Sequence, residues 1–166
     1  MLIDQQRAYE RIFFERFLSE NNPSGFSQQL LFPIAKEFSA PDYELMTALD
    51  GELRSLGFVF EEFGKHTLKI SGVPIETKDL DIKHVIDQLL EQFKASQQGL
   101  RLNRLENLAQ TLAASASRAK PRNMSAEQML VLIDQLFACE TPNFSPKGKP
   151  VISIIGLGEL NERFEK

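Results

Sequence analysis

Long helical periods, broken by only a few short extended stretches, constrain the fold of this chain more than any other feature. From Asp79 to Ala95, the residues Ile82, Val85, Ile86, Leu89, Leu90 and Phe93 recur every three or four positions and predict an amphipathic helix. Tyr9, Ile12, Phe13 and Phe17 do the same from Asp4 to Glu20, with Asp4 as a plausible N-cap. A third period, Leu45, Met46, Leu49, Leu53 and Leu56, predicts one helix over Ser39–Leu56. Ser39 and Asp42 fit the form of a capping box there, and Gly57 suits a C-terminal cap. Leu100 to about Ala119 carries Leu105, Leu108 and Leu112, followed by small residues through Ser117 that let another element approach closely. Ser125 and Gln128 form a capping box for a helix ending near Cys139, with Met129, Leu132, Ile133 and Leu136 as its buried stripe. A short helix from Leu157 to Lys166 ends the chain.

The extended stretches are fewer. Leu2-Ile3 is a stub, and Phe26–Pro33 is short and extended. Phe58–Glu62 and Thr67–Val73 alternate apolar and polar residues around Gly64-Lys65, which predicts a hairpin closed by Pro74. Val151–Ile155 is apolar and predicts a strand buried on both faces. Asn21–Gly25 reads as a linker, and Gln97-Gln98-Gly99 as a break. Without a regular strand–helix–strand alternation, the order argues for an α+β fold rather than a doubly wound sheet. A chain of 166 residues makes one domain, or two small subdomains sharing a core.

Composition narrows the chemistry. One Cys and two His exclude a disulfide framework and an all-cysteine zinc site. His66 beside the hairpin turn and His84 on a helix read as ordinary exposed or half-buried residues, and Cys139 as a small buried hydrophobe. A net charge of −4 argues against tight DNA binding by this chain alone, since phosphate contacts supply most of that affinity. The cations Lys94, Arg101, Arg104, Arg118, Lys120 and Arg122 cluster in sequence. They read as a solvated face, or as a weak surface for nucleic acid or an acidic partner. No apolar run approaches the roughly 20 residues of a membrane span, and Met1-Leu2-Ile3-Asp4 does not resemble a signal peptide, so a cytoplasmic protein is expected.

Three stretches carry a family resemblance. Asp4-Gln5-Gln6-Arg7-Ala8-Tyr9-Glu10-Arg11-Ile12 resembles the Asp-Gln-His-Ala-x-x-Glu-Arg-Ile signature of the MutL C-terminal domain. Gln28-Gln29-Leu30-Leu31-Phe32-Pro33 resembles that family's Gln-x-x-Leu-x-Pro segment. Ser145-Pro146-Lys147-Gly148-Lys149-Pro150 lies where the family has Cys-Pro-His-Gly-Arg-Pro. The order and intervals also fit. The resemblance implies a DNA mismatch repair protein with an ATP-binding N-terminal ATPase, absent here, and a C-terminal homodimerisation domain. It further implies a dimerisation subdomain of residues 1–22 plus 100–166 and an external subdomain of residues 23–99. An isologous dimer would use the small-residue helix and the last strand, and would give Phe13, Phe14 and Phe17 an outlet.

Many members of the resembled family are nicking endonucleases whose signature sets His and Glu one turn apart, about 6 Å, on one helix face. A later Cys and His complete a zinc or manganese site that activates water. Carried across, the helix His becomes Gln6 and Glu10 remains; the later Cys becomes Ser145 and its His Lys147; a further Cys-His pair falls on Ala113 and Ala114. Amide and hydroxyl groups replace imidazole and thiolate poorly, and an ammonium repels a divalent cation. Neither a metal nor another cofactor is therefore expected. Lys147 either pairs with Glu10 or is a solvated loop lysine. Asp4 and Glu15 read as a helix cap and a surface charge, or as a weak magnesium pair.

Gln28, Leu31, Phe32 and Pro33 have the form of a peptide that binds a replicative sliding clamp, with Leu31 and Phe32 filling an apolar pocket and the Gln28 amide at its rim. The alternative is an edge strand whose Leu31 and Phe32 serve this chain's own core. The leading expectation is thus a dimerisation and clamp-docking module without nuclease activity, working with a mismatch-recognition protein and a separate nuclease. A residual metal-dependent nicking endonuclease using Glu10 and Asp4 is the alternative, and a generic interaction domain is a third reading.

Overall fold

The computed structural model describes residues 1–19, 27–96 and 103–164. In chain order its elements are β1 (Leu2–Ile3), α1 (Gln5–Leu18), β2 (Ser27–Glu37), α2 (Ala40–Ala48), α3 (Asp50–Ser55), β3 (Val59–Glu62), β4 (Thr67–Pro74), a 3₁₀ turn (Ile75–Thr77), α4 (Ile82–Ser96), α5 (Arg104–Arg118), α6 (Ala126–Phe137), β5 (Ile152–Ser153) and α7 (Leu157–Phe164). The architecture is α+β, with two small antiparallel sheets. One pairs β1 with β5, and the other has the order β2-β4-β3.

Helix α5 occupies the centre, packed against α1, α3 and α4. Its Leu108, Leu112, Ala113 and Ala116 are fully buried, and the alanines face a neighbour that also brings a small residue, Ala8, of α1. Small side chains on both sides let two backbones come close, and Ile12, Phe13 and Phe17 then close over the seam. Ala113 and Ala116 of the small-residue run are therefore spent inside this chain, while Ala114 and Ser115 line a groove beside α4. Phe13 and Phe17 are buried in the same core, and Phe14 is packed at its margin, so these rings need no partner molecule.

A polar ridge on α1 fastens a distant stretch. Glu15 accepts the amides of Glu140 and Thr141 (2.7 and 3.2 Å), Arg11 Nε donates to the Phe144 carbonyl (2.6 Å), and Arg7 donates to the Pro150 carbonyl (2.7 Å). The Asp4 amide donates to the Val151 carbonyl at 2.9 Å. Residues 7, 11 and 15 lie one turn apart on one face, so chain 140–151 runs antiparallel along it.

Local signals explain the element ends. The Asp4 carboxylate accepts the Arg7 amide and caps α1. Ser125 and Gln128 form the full reciprocal capping box of α6. Gly57, at φ +100°, ends α3: its amide reaches the Arg54 carbonyl and the Phe58 amide the Leu53 carbonyl, the pairing of a left-handed helix cap. The ion pairs Lys36–Asp87 and Lys94–Asp42 tie α4 to β2 and α2.

Four expectations change. The helix over Ser39–Leu56 is two, turning at Leu49, which lets Met46, Leu49, Leu53 and Leu56 all enter the core. The extended segment runs on to Glu37, because Ile34–Glu37 continue the ladder with β4. Only Ile152–Ser153 of the expected Val151–Ile155 strand pairs, since its partner β1 offers two residues; Val151 is buried but Ile154 is 80% exposed. Met129, assigned to the buried stripe of α6, is half exposed, whereas Leu132 and Leu136 are buried. The Asn21–Gly25 linker and the Gln97–Gly99 break lie outside the described residues.

Gly72 sits in the central strand β4, opposite both Gln29 and Val59. A Cβ there would come within 2.7 Å of Ser27 Oγ and 2.8 Å of Val59 Cγ2. Gly72→Ala is expected to cost about 1–3 kcal/mol by overpacking. Gly51→Ala, on an α3 position with open space, should be neutral or stabilise by up to about 1 kcal/mol. Urea denaturation of the two variants checks the contrast.

Candidate functional site

The Gln28–Pro33 segment lies on an edge strand whose ladder is interrupted. Gln28 and Gln29 pair with Val73 and Gly72, and pairing resumes at Ile34 opposite Ile70. Leu30–Pro33 therefore bulge out over the single intervening residue Ser71 of β4. Pro33 has no amide to offer a ladder, which suits a bulge. Leu30 packs at the margin of the core, while Leu31 and Phe32 are 88% and 79% exposed. The side chains facing inward are thus Leu30 and Ile34, and the reading that Leu31 and Phe32 serve this chain's own core is overturned. Gln28 is exposed beside them.

The second constellation gathers where α1, α5 and the 144–150 loop meet. The loop closes on itself: Ser145 N donates to the Lys149 carbonyl (2.8 Å), Lys149 N to Ser145 Oγ (3.2 Å), and Gly148 turns at φ +74°. Gln110 of α5 donates to the Pro146 carbonyl at 3.0 Å. Ser145 is buried and its hydroxyl is engaged within the loop. Lys147 reaches back so that its Nζ lies 3.9 Å from Glu10 Oε1; the lysine is half exposed, and the Glu10 side chain only 11%. Glu10 Oε1 has no hydrogen bond.

The remaining positions disperse. Ala113 is fully buried in the helix seam, and Ala114 lines a polar groove of about 480 Å³ between α4 and α5 that also takes in Arg118 and Lys147. Gln6 is exposed and lines a separate groove of about 440 Å³ with Asp4, Tyr9, Arg118, Lys120 and Arg122. Asp4 caps α1 and pairs with Arg7 at 3.3 Å. Glu15 is not a free surface charge, because it holds two loop amides and the Arg11 guanidinium. Eleven positions apart, Asp4 and Glu15 are about 16 Å from one another along the helix and cannot share one ion.

Among the described residues no three His, Cys, Asp or Glu side chains are grouped to hold an ion. The one buried carboxylate at the resembled site faces an ammonium. These residues do not fit a zinc or manganese centre. Cys139 does not help: it is half buried, its Sγ donates to the Gln135 carbonyl (3.4 Å), and burial together with the neighbouring Glu15 pushes its thiol pKa up to about 11. His66 stands at φ +55° in the hairpin turn, tilted against the Tyr43 ring, and His84 is exposed on α4. His84 lies 2.9 Å from the amide nitrogen of Gln88, which lines the α4–α5 groove.

One surface was missed. On α6, Met129, Leu130, Val131 and Phe137 are each at least half exposed, and Ile154 and Leu157 beyond β5 are 80% and 79% exposed. The signal was present: residues 129–133 are five consecutive apolar side chains, wider than the stripe one core can cover. No helix among the described residues is long and apolar enough to cross a membrane.

Comparison with known proteins agrees with the resemblance. The family described as the MutL C terminal dimerisation domain matches residues 1–124. The DNA mismatch repair protein MutL of Chlorobium chlorochromatii is 35% identical over 99% of this chain and 26% of its own length. That of Chlorobaculum parvum is 34% identical over 99% and 26%, and that of Flavobacterium psychrophilum 30% over 99% and 27%. The chain spans about a quarter of the length of these relatives. On the match across residues 1–124 and the identity over nearly its whole length, the chain belongs to the MutL C-terminal dimerisation domain family.

Proposed function

We propose that this chain is the homodimerisation and sliding-clamp docking module of a DNA mismatch repair protein, and that it does not cut DNA. The observation that carries the docking reading is the bulge in β2. Leu31 and Phe32 stand free of the core on an edge strand, with Gln28 exposed alongside. An extended segment with two projecting apolar side chains and a nearby amide suits insertion into an apolar pocket on a partner. The backbone around the bulge is already held on both sides by β4, so little order has to be gained on binding.

Dimerisation is supported by the family and by the unpartnered apolar face of α6. The natural division puts residues 1–22 plus 100–166 in the dimerisation subdomain and 23–99 in the external one. Each sheet falls within one of these parts, and α5 joins them. In the full-length protein such a dimer would hold two ATPase arms together. It would act with a mismatch-recognition protein and leave cleavage to a separate nuclease. The non-nuclease reading rests on the donor set, in which Gln6, Ala113, Ala114, Ser145 and Lys147 stand where ligands would be needed.

Three measurements test this reading. Surface plasmon resonance against a replicative sliding clamp should show affinity falling at least about tenfold for Leu31→Ala and for Phe32→Ala, the loss typical of a buried anchor residue; unchanged binding removes the docking claim. Light scattering should report a dimer at micromolar concentration that Leu130→Glu with Phe137→Glu converts to monomer, whereas a wild-type monomer contradicts it. Supercoiled plasmid should remain intact with manganese, and nicking that disappears in Glu10→Ala would establish the residual endonuclease instead.

A further inference from the structure

We propose that the Lys147 ammonium takes the position of the divalent cation in nuclease members of the family, and so locks the 144–150 loop onto α1 without metal. This inference rests on the non-nuclease reading and goes beyond it by assigning a new role to the vacated position.

The charge arrangement carries it. A metal at such a site does two things besides chemistry: it neutralises buried donors, and it fastens the loop to the helix. Both needs persist in this chain. Glu10 is buried, and its Oε1 makes no hydrogen bond. A carboxylate removed from water in that state is costly unless a cation is near. Lys147 is that cation, at 3.9 Å, and its ammonium arrives from the loop the resembled site would have tethered. The rest of the loop is set to aim it. Arg7 and Arg11 hold the Pro150 and Phe144 carbonyls at the two ends, Gln110 holds Pro146 next to the lysine, and the Ser145 hydroxyl closes the turn from inside. Glu10 lies between Arg7 and Arg11 on α1, so the helix presents its negative charge at the tip of the loop and positive charge at its ends.

The same side chain also works against metal uptake. A charge of +1 within 4 Å of Glu10 repels an incoming divalent ion, and the Ser145 hydroxyl is already engaged within the loop. On this proposal an ion pair, in place of a metal, attaches the loop to α1.

A melting cycle on this chain decides the matter. Lys147→Met should lower Tm by roughly 3 °C, a shift appropriate to a pair worth about 1 kcal/mol in a chain of this size. Lys147→Arg should keep most of the wild-type Tm, and Glu10→Gln placed in the Lys147→Met background should recover the loss by removing the unpaired charge. Wild-type Tm should be the same with zinc, manganese or EDTA. A Lys147→Met protein that melts with wild type, a double variant that is no better than the single, or a wild-type Tm raised by zinc or manganese each overturns the proposal. Nicking in the plasmid assay defeats the non-nuclease reading instead, and is read out separately from the melting cycle.

Discussion

The close seam between α1 and α5 is the contact on which the rest of the molecule depends. Ala8 on one helix and Ala109, Ala113 and Ala116 on the other are completely buried, so the two backbones approach where larger side chains would hold them apart. Everything else is placed relative to that pair. The opposite flank of α5 receives α3 and α4, which support the three-stranded sheet, while α1 turns its polar ridge to the 140–151 stretch. A helix with one apolar flank and one charged flank thus organises both a core and a long connection of poor intrinsic structure. Replacing Ala113 by a larger polar residue would place an unpaired polar group inside this fully buried seam.

Much of the fold was legible because its causes are local. The periods of α1, α4 and α5, the Ser125–Gln128 box, the Asp4 cap and the Gly57 stop are each set by residues within a few positions of one another, and the structure places them as the pattern requires. The errors share the opposite origin. Whether Val151–Ile155 pairs along its length depends on how much strand β1 can offer, more than a hundred residues earlier. The break at Leu49 depends on how four buried side chains meet a core built by other elements. The exposure of Met129 depends on which side of α6 meets α1. Periodicity shows that a helix has an apolar side, but not how much of a wide apolar surface one core can absorb.

The candidate sites divide in the same way. For the strand segment, Gln28, Leu31 and Phe32 were visible as a motif, but whether they turned inward or outward was a matter of register. Pairing on either side of Leu30–Pro33 decides it, because the bulge sends Leu30 to the core and its two successors to solvent. Where α1 meets the 144–150 loop, the resemblance singled out Glu10 and Lys147, whereas the burial of Glu10 and the direction of Lys147 are properties of the folded loop. Glu15 shows the limit most clearly. Nothing in its neighbourhood in sequence foretells that it caps the amides of Glu140 and Thr141.

The central functional claim is that the β2 bulge is the docking surface. Hydrogen–deuterium exchange of the chain, alone and saturated with a replicative sliding clamp, tests it most directly, since amides report contact without altering the side chains in question. The account predicts slowed exchange concentrated at residues 28–34, with α1 and α5 unchanged. Clamp binding that leaves the exchange of 28–34 as it was, or that protects another surface instead, would contradict it.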